Sequence, residues 1–182
     1  MTANDKIRCF VSLDLSDEII RYAKSIQNNL ISQNLFQGKY TKPTNIHLTL
    51  KFLGELPPQK IDEVNGLLQQ VEFTPFNITI SDLGVFSRRH IRIIWLKVSG
   101  ADQLQKQIDT ALQGHFHPEE RFMGHITIVR VKKAFDKNLL LDYLDNYTIT
   151  PKEILVSEFR LKQSILTPEG PIYKTIETFK KS

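Results

Sequence analysis

Ile46-His47-Leu48-Thr49-Leu50 and Gly124-His125-Ile126-Thr127-Ile128 repeat one pattern 78 positions apart: a histidine, an apolar residue, a threonine and another apolar residue. In an extended strand, alternate side chains point to opposite faces. Each segment therefore turns an imidazole and a hydroxyl to one side of a sheet and keeps its leucines or isoleucines on the other. Two such strands facing one another would surround a single space with two titratable nitrogens and two hydroxyls. That equipment suits the breaking of a phosphodiester by acid and base catalysis without a metal.

The flanking elements repeat as well. Ile7–Leu15 is strand-like, and Ser16 with Asp17 and Glu18 marks a helix start for about Asp17–Leu35. Gly38–Asn45 reads as a loop containing Pro43, the first repeat as a strand to about Leu53, and Pro58–Val71 as a helix with proline in its first turn. Strands over Phe76–Leu83 and Ile91–Val98 follow, then a helix over Ala101–Leu112, a strand over Phe122–Val131 and a helix around Lys137–Leu144. Lys152–Leu166 and Ile172–Phe179 read as two last strands around a Pro- and Gly-containing turn. A histidine-bearing strand followed by a helix thus occurs once in each half. The expected fold is α+β: one bilobal domain over residues 1–182, a duplicated sheet-and-helix unit with pseudo-two-fold symmetry and a central groove carrying the motifs at 47–50 and 125–128.

At 41% apolar residues, a chain of 182 residues has enough material for one core. No apolar run approaches the roughly 20 residues that span a bilayer, and Met1–Ser12 has no signal-like apolar stretch. The expected setting is the cytoplasm, with no membrane partner, and the expected state is a monomer. The single cysteine, Cys9, lies in an apolar run and reads as a buried thiol. The net charge of +4 is modest, but Arg88, Arg89, His90 and Arg92 cluster, Lys132 and Lys133 follow the second repeat, and Lys39 and Lys42 precede the first. These charges would favour a polyanion near the site.

Strand parity puts Lys51 on the face of His47 and Thr49, which makes it a candidate phosphate contact. Arg130 falls on the opposite face from His125 unless the strand bulges. Tyr40, Phe122 and Tyr173 are candidates for stacking a terminal base. A competing arrangement would use His115 and His117, with His47 or His125, as zinc ligands. A non-catalytic RNA-binding module is a second alternative.

The HLTL and HITI motifs, with IRCFVSLDL near the start, HLTLKFLGE and GHITIVRVK around the repeats and SILTPEGPIY near the end, resemble the 2H phosphoesterase superfamily. Within it the chain is similar to the RNA 2',3'-cyclic phosphodiesterases also described as 2'-5' RNA ligases. Gly124 stands where many members have proline. The resemblance implies hydrolysis, without cofactor, of a terminal 2',3'-cyclic phosphate on RNA to a 2'-phosphomonoester. In that scheme His47 is the proton donor, His125 the proton acceptor, and Thr49 and Thr127 hold the phosphate oxygens. It leaves open a 2',5'-phosphodiesterase, a nucleotide cyclic phosphodiesterase or a ligase working through the same residues.

Overall fold

The computed structural model describes residues 6–181, so residues 1–5 and 182 of the expected domain lie outside the described residues. Among the described residues the strands are β1 (Ile7–Asp14), β2 (Phe36–Tyr40), β3 (His47–Leu56), β4 (Phe76–Val85), β5 (Ile93–Ser99), β6 (His125–Ala134), β7 (Lys152–Val156), β8 (Glu158–Thr167) and β9 (Gly170–Lys180). The helices are α1 (Asp17–Gln33), α2 (Pro58–Leu68), α3 (Asp102–Ala111) and α4 (Lys137–Asp145). Ser16 caps α1 by accepting from the Ile19 amide, and Asp136 does the same for α4 through the Leu139 amide. No described helix is long and apolar enough to cross a membrane.

The strands form one antiparallel sheet in the order β7-β4-β5-β6-β3-β1-β8-β9, with β2 added against β6. The duplication is visible in the connections: β1-α1-β3-α2 in the first half and β5-α3-β6-α4 in the second, with β1 beside β3 and β5 beside β6. The helices are exchanged between halves, α1 packing on β6 and α3 on β3. One core unites Ile26 and Leu30 of α1 and Leu104 and Ile108 of α3 with Leu48, Leu50, Ile126 and Ile128 of the motif strands. The motif strands are thereby pinned from behind by apolar burial while their other face stays open.

Two expected elements differ. The extended run at 152–166 is two strands, because at Ser157 the chain leaves β4 and takes up β1 and β9 as partners. One residue cannot bridge distant strands, so the sheet must curl until β7 lies near β8. The expected loop at 38–45 contains the end of β2 and a 3₁₀ turn at Pro43–Asn45. Gly38 makes that strand hard to read and also makes it possible: a Cβ there would lie 2.7 Å from the Arg130 carbonyl oxygen. Cys9 is buried as expected, and burial pushes its thiol up to about 11.

Candidate active site

β3 and β6 meet at one recorded pair, Leu48 opposite Ile126, and beyond it β2 replaces β3 as the partner of β6 from Val129 to Ala134. The two motif strands therefore touch at one point in the middle of the sheet, and the groove lies over the face that carries their histidines. Extending the register by one residue each way puts His47 opposite Thr127 and Thr49 opposite His125. On that register the two histidines are diagonal neighbours on one face of the sheet. All four residues line one cavity of about 860 Å³.

Both imidazoles are oriented in the same way. His47 Nδ1 lies 2.8 Å from the Asn45 carbonyl oxygen, and His125 Nδ1 lies 2.8 Å from that of Met123, in each case two residues back along the chain. A ring that donates from Nδ1 to a carbonyl presents Nε2 as its reactive nitrogen. His47 Nε2 is 2.9 Å from the Thr49 hydroxyl oxygen. Aromatic edges brace each ring: Tyr173 stands at 82° to His47 with centroids 5.1 Å apart, and Phe86 at 87° to His125 with centroids 4.8 Å apart. Phe10 packs on His47 from a second side, 5.2 Å away.

Burial lowers the proton affinity of His47. Nearby Lys162 and His125 act in the same direction, while the Asn45 carbonyl and Asp14 oppose them. Asp14 is opposite His47 on β1, and its carboxylate accepts hydrogen bonds from Lys162 and Arg160. Burial and these neighbours together hold His47 below the ordinary histidine value, toward its neutral form.

Lys51 is not in the groove, contrary to expectation. Val11 pairs with Lys51 and Ser12 with Thr49, so Leu50 is an extra residue, and the bulge inverts the parity beyond it. Lys51 is 3% exposed on the helix side, with its ammonium 2.5 Å from Asp109 on α3 and 2.7 Å from the His117 carbonyl oxygen. The same irregularity in β6 has the opposite consequence for Arg130. Ile94 pairs with Val129 and Trp95 with Thr127, which leaves Ile128 as the extra residue and turns Arg130 into the cavity with His125 and Thr127.

Tyr40 and Tyr173 line the cavity, as do Lys39 and Lys42. Phe122 does not; it borders a separate depression beside α3. The basic cluster at 88–92 is also outside the cavity lining, with Arg88 forming a bidentate pair with Asp145. The zinc arrangement fails on geometry. His115 contacts Lys60 and Glu63 of α2, and His117 offers its carbonyl to Lys51 on the helix side, whereas His47 and His125 face the groove. Phe10, Phe52 and Phe86 also line the cavity, with no signal for this in the sequence. Phe52 follows from the Leu50 bulge, and Phe86 lies one residue past β4, where no periodicity signals it.

A curled antiparallel sheet that turns two imidazoles and two threonine hydroxyls into one cavity with Arg130, Lys39 and Lys42 defines a phosphoesterase-type fold and candidate site. The model of the LigT-like phosphoesterase family matches residues 13–95 and 98–173, and the chain belongs to that family. Curated relatives named RNA 2',3'-cyclic phosphodiesterase include one from Methanothermobacter thermautotrophicus, 33% identical over 183 residues covering 96% of this chain and 99% of its own. Another, from Thermotoga maritima, is 37% identical over 178 residues, 93% of each chain. The crystal structure of Escherichia coli LigT complexed with 3'-AMP superposes with a TM-score of 0.75 at 25% identity, over 97% of this chain and 98% of that one. A Thermus thermophilus structure shares the fold with a TM-score of 0.77 at 24% identity, over 96% and 97%.

Proposed function

We propose that this protein hydrolyses the terminal 2',3'-cyclic phosphate of RNA to a 2'-phosphomonoester, with His47 and His125 as acid and base. The observation that carries this reading is the matched pair of Nδ1 contacts to main-chain carbonyls, which leaves two Nε2 atoms for one groove. Water attacks phosphorus from the side opposite the 3'-oxygen and gives its proton to His125 Nε2. The P–O3' bond breaks as His47 Nε2–H delivers a proton to the departing oxygen. Water and cyclic diester thus become a phosphomonoester and a free 3'-hydroxyl.

His47 must be protonated to act, although its burial disfavours that form. An entering phosphate anion reverses this balance, since an opposite charge within about 4–6 Å favours the imidazolium. Thr49 and Thr127 are assigned to the non-bridging oxygens, where preorganised donors act on developing charge, and Arg130 to the negative charge that the phosphate already carries when it binds. Lys39 and Lys42 on the β2 side suit the phosphates that precede the terminus. The reaction needs only these side chains and water, and we assign it to the cytoplasm.

The test is incubation of an RNA oligonucleotide ending in a 2',3'-cyclic phosphate, followed by product analysis, with a cyclic mononucleotide and a 2'-5' linked dinucleotide in parallel. A 2'-phosphate product formed fastest from the oligonucleotide supports the proposal. Binding without turnover contradicts it.

A further inference from the structure

Gln27 lies on α1, facing the back of β6, and is wholly buried. Its amide nitrogen donates to two carbonyl oxygens, those of Thr41 at 2.9 Å and Ile128 at 2.8 Å. The Thr41 amide also donates to the Ile128 carbonyl, at 2.9 Å. Ile128 is the extra residue of the β6 bulge, and a bulge leaves a residue outside the ladder with main-chain groups that need another partner. Gln27 and Thr41 supply that partner. Without them, the cheapest repair is the regular register, which would rotate Arg130 to the helix side.

We infer that Gln27 is a positioning residue: by fastening the Ile128 carbonyl to the start of the Thr41–Asn45 segment, it holds both Arg130 and the wall preceding His47 in the groove. The inference rests on the proposed reaction for its kinetic readout, but its structural content is independent of that reaction. The second half has a counterpart 78 positions later, as the motifs do. Gln105 on α3 is 2% exposed and donates to Asp109 at 2.7 Å, and Asp109 holds Lys51 beside the Leu50 bulge. That counterpart ends on a residue facing away from the groove, so it provides an internal control. Removing either glutamine amide deletes a buried hydrogen-bonding group, but only Gln27 is connected to the phosphate-facing arginine.

Gln27→Met keeps the volume and removes both donors. The expected result is a KM for cyclic-phosphate RNA raised roughly tenfold, the scale of one hydrogen bond to a charged group, with kcat changed far less. Combining it with Arg130→Ala should add little to the effect of Arg130→Ala alone, because residues acting through one another are non-additive. Gln105→Met should lower the melting temperature comparably and leave KM unchanged, which separates positioning from stability. Gln27→Asn keeps an amide but is one methylene short, so an intermediate KM is expected, and this variant carries the test if the Met variant does not fold. Wild-type KM in the folded Gln27 variants, or full additivity with Arg130→Ala, overturns the inference. If the wild-type protein turns over no cyclic phosphate, the proposed reaction fails, and a crystal structure of the Gln27→Met or Gln27→Asn variant decides the inference. Loss of the Ile128 bulge supports it, and an intact bulge with Arg130 in the groove refutes it.

Discussion

Arg130 occupies in β6 the place that Phe52 holds in β3, each five residues after its motif histidine and three after its motif threonine, and both side chains line the cavity. The pseudo-symmetric frame thus ends in two chemically different walls, a cation from one half and an exposed aromatic ring from the other. Arg130→Ala should lower kcat/KM about 10- to 100-fold, as expected for loss of a charge-assisted contact of about 1.5–3 kcal/mol, with little change in melting temperature. Phe52→Ala should raise KM with less effect on kcat, since a ring beside the phosphate binds substrate and transition state alike. Steady-state kinetics on an oligonucleotide and on a cyclic mononucleotide separate the two.

Lys51 should behave in the opposite way. Its ammonium is buried against Asp109, a carboxyl that burial would raise but that Lys51, the Glu119 amide and Gln105 hold below the usual value. Breaking a buried pair by removing one partner costs about 3–5 kcal/mol, so Lys51→Ala should unfold at markedly lower denaturant concentration. Its kcat/KM per folded molecule should stay near wild type. Denaturation curves with active-site-normalised rates check both statements.

His47 gives stability a pH dependence of known sign. Its folded-state proton affinity lies below the ordinary value of about 6.5, so the unfolded chain binds more protons in the window beneath 6.5. The associated stability is present above that value and is lost as pH falls through the window toward the folded-state value. His47→Gln should remove this component: the fall in melting temperature between pH 7.5 and a pH near 5, both ~ values chosen to bracket 6.5, should be smaller in the variant than in wild type. Calorimetry at matched ionic strength measures the difference.

Gly124 explains itself sterically. A Cβ at this position would come within 2.4 Å of the Val98 carbonyl oxygen, while the Gly124 carbonyl accepts from the Val98 amide. Gly124→Ala must push β5 away or shift Met123, whose carbonyl holds His125 Nδ1. A stability loss of about 1–3 kcal/mol is expected, as for overpacking, together with lower kcat. Chemical denaturation and single-turnover rates report the two effects.

The motif strands were legible because alternation survives through His47–Thr49 and His125–Thr127, and because the same four-residue pattern occurs twice. Legibility ended at the next residue. A bulge at Leu50 or Ile128 leaves no mark in side-chain chemistry, since the extra residue is as apolar as its neighbours and is held from behind by other elements. Parity therefore misplaced Lys51, and reached Arg130 only through the provision that β6 bulges. The strand pattern at 152–166 was read correctly as extended, but a change of partners at Ser157 depends on sheet curvature that no local residue encodes. Phe86 and Phe10 brace the histidines across long sequence separations, where single-sequence periodicity gives no signal.

The most direct test of two imidazoles acting on one phosphorus is the rate of 2',3'-cyclic phosphate opening by wild type, His47→Ala, His125→Ala and the double variant, measured in the presence of a chelator. The account predicts chelator-resistant wild-type turnover, a loss of about 10²–10⁴ in each single variant, and a double variant hardly slower than the singles because acid and base act as a unit. A double variant that opens the ring at the wild-type rate would contradict it.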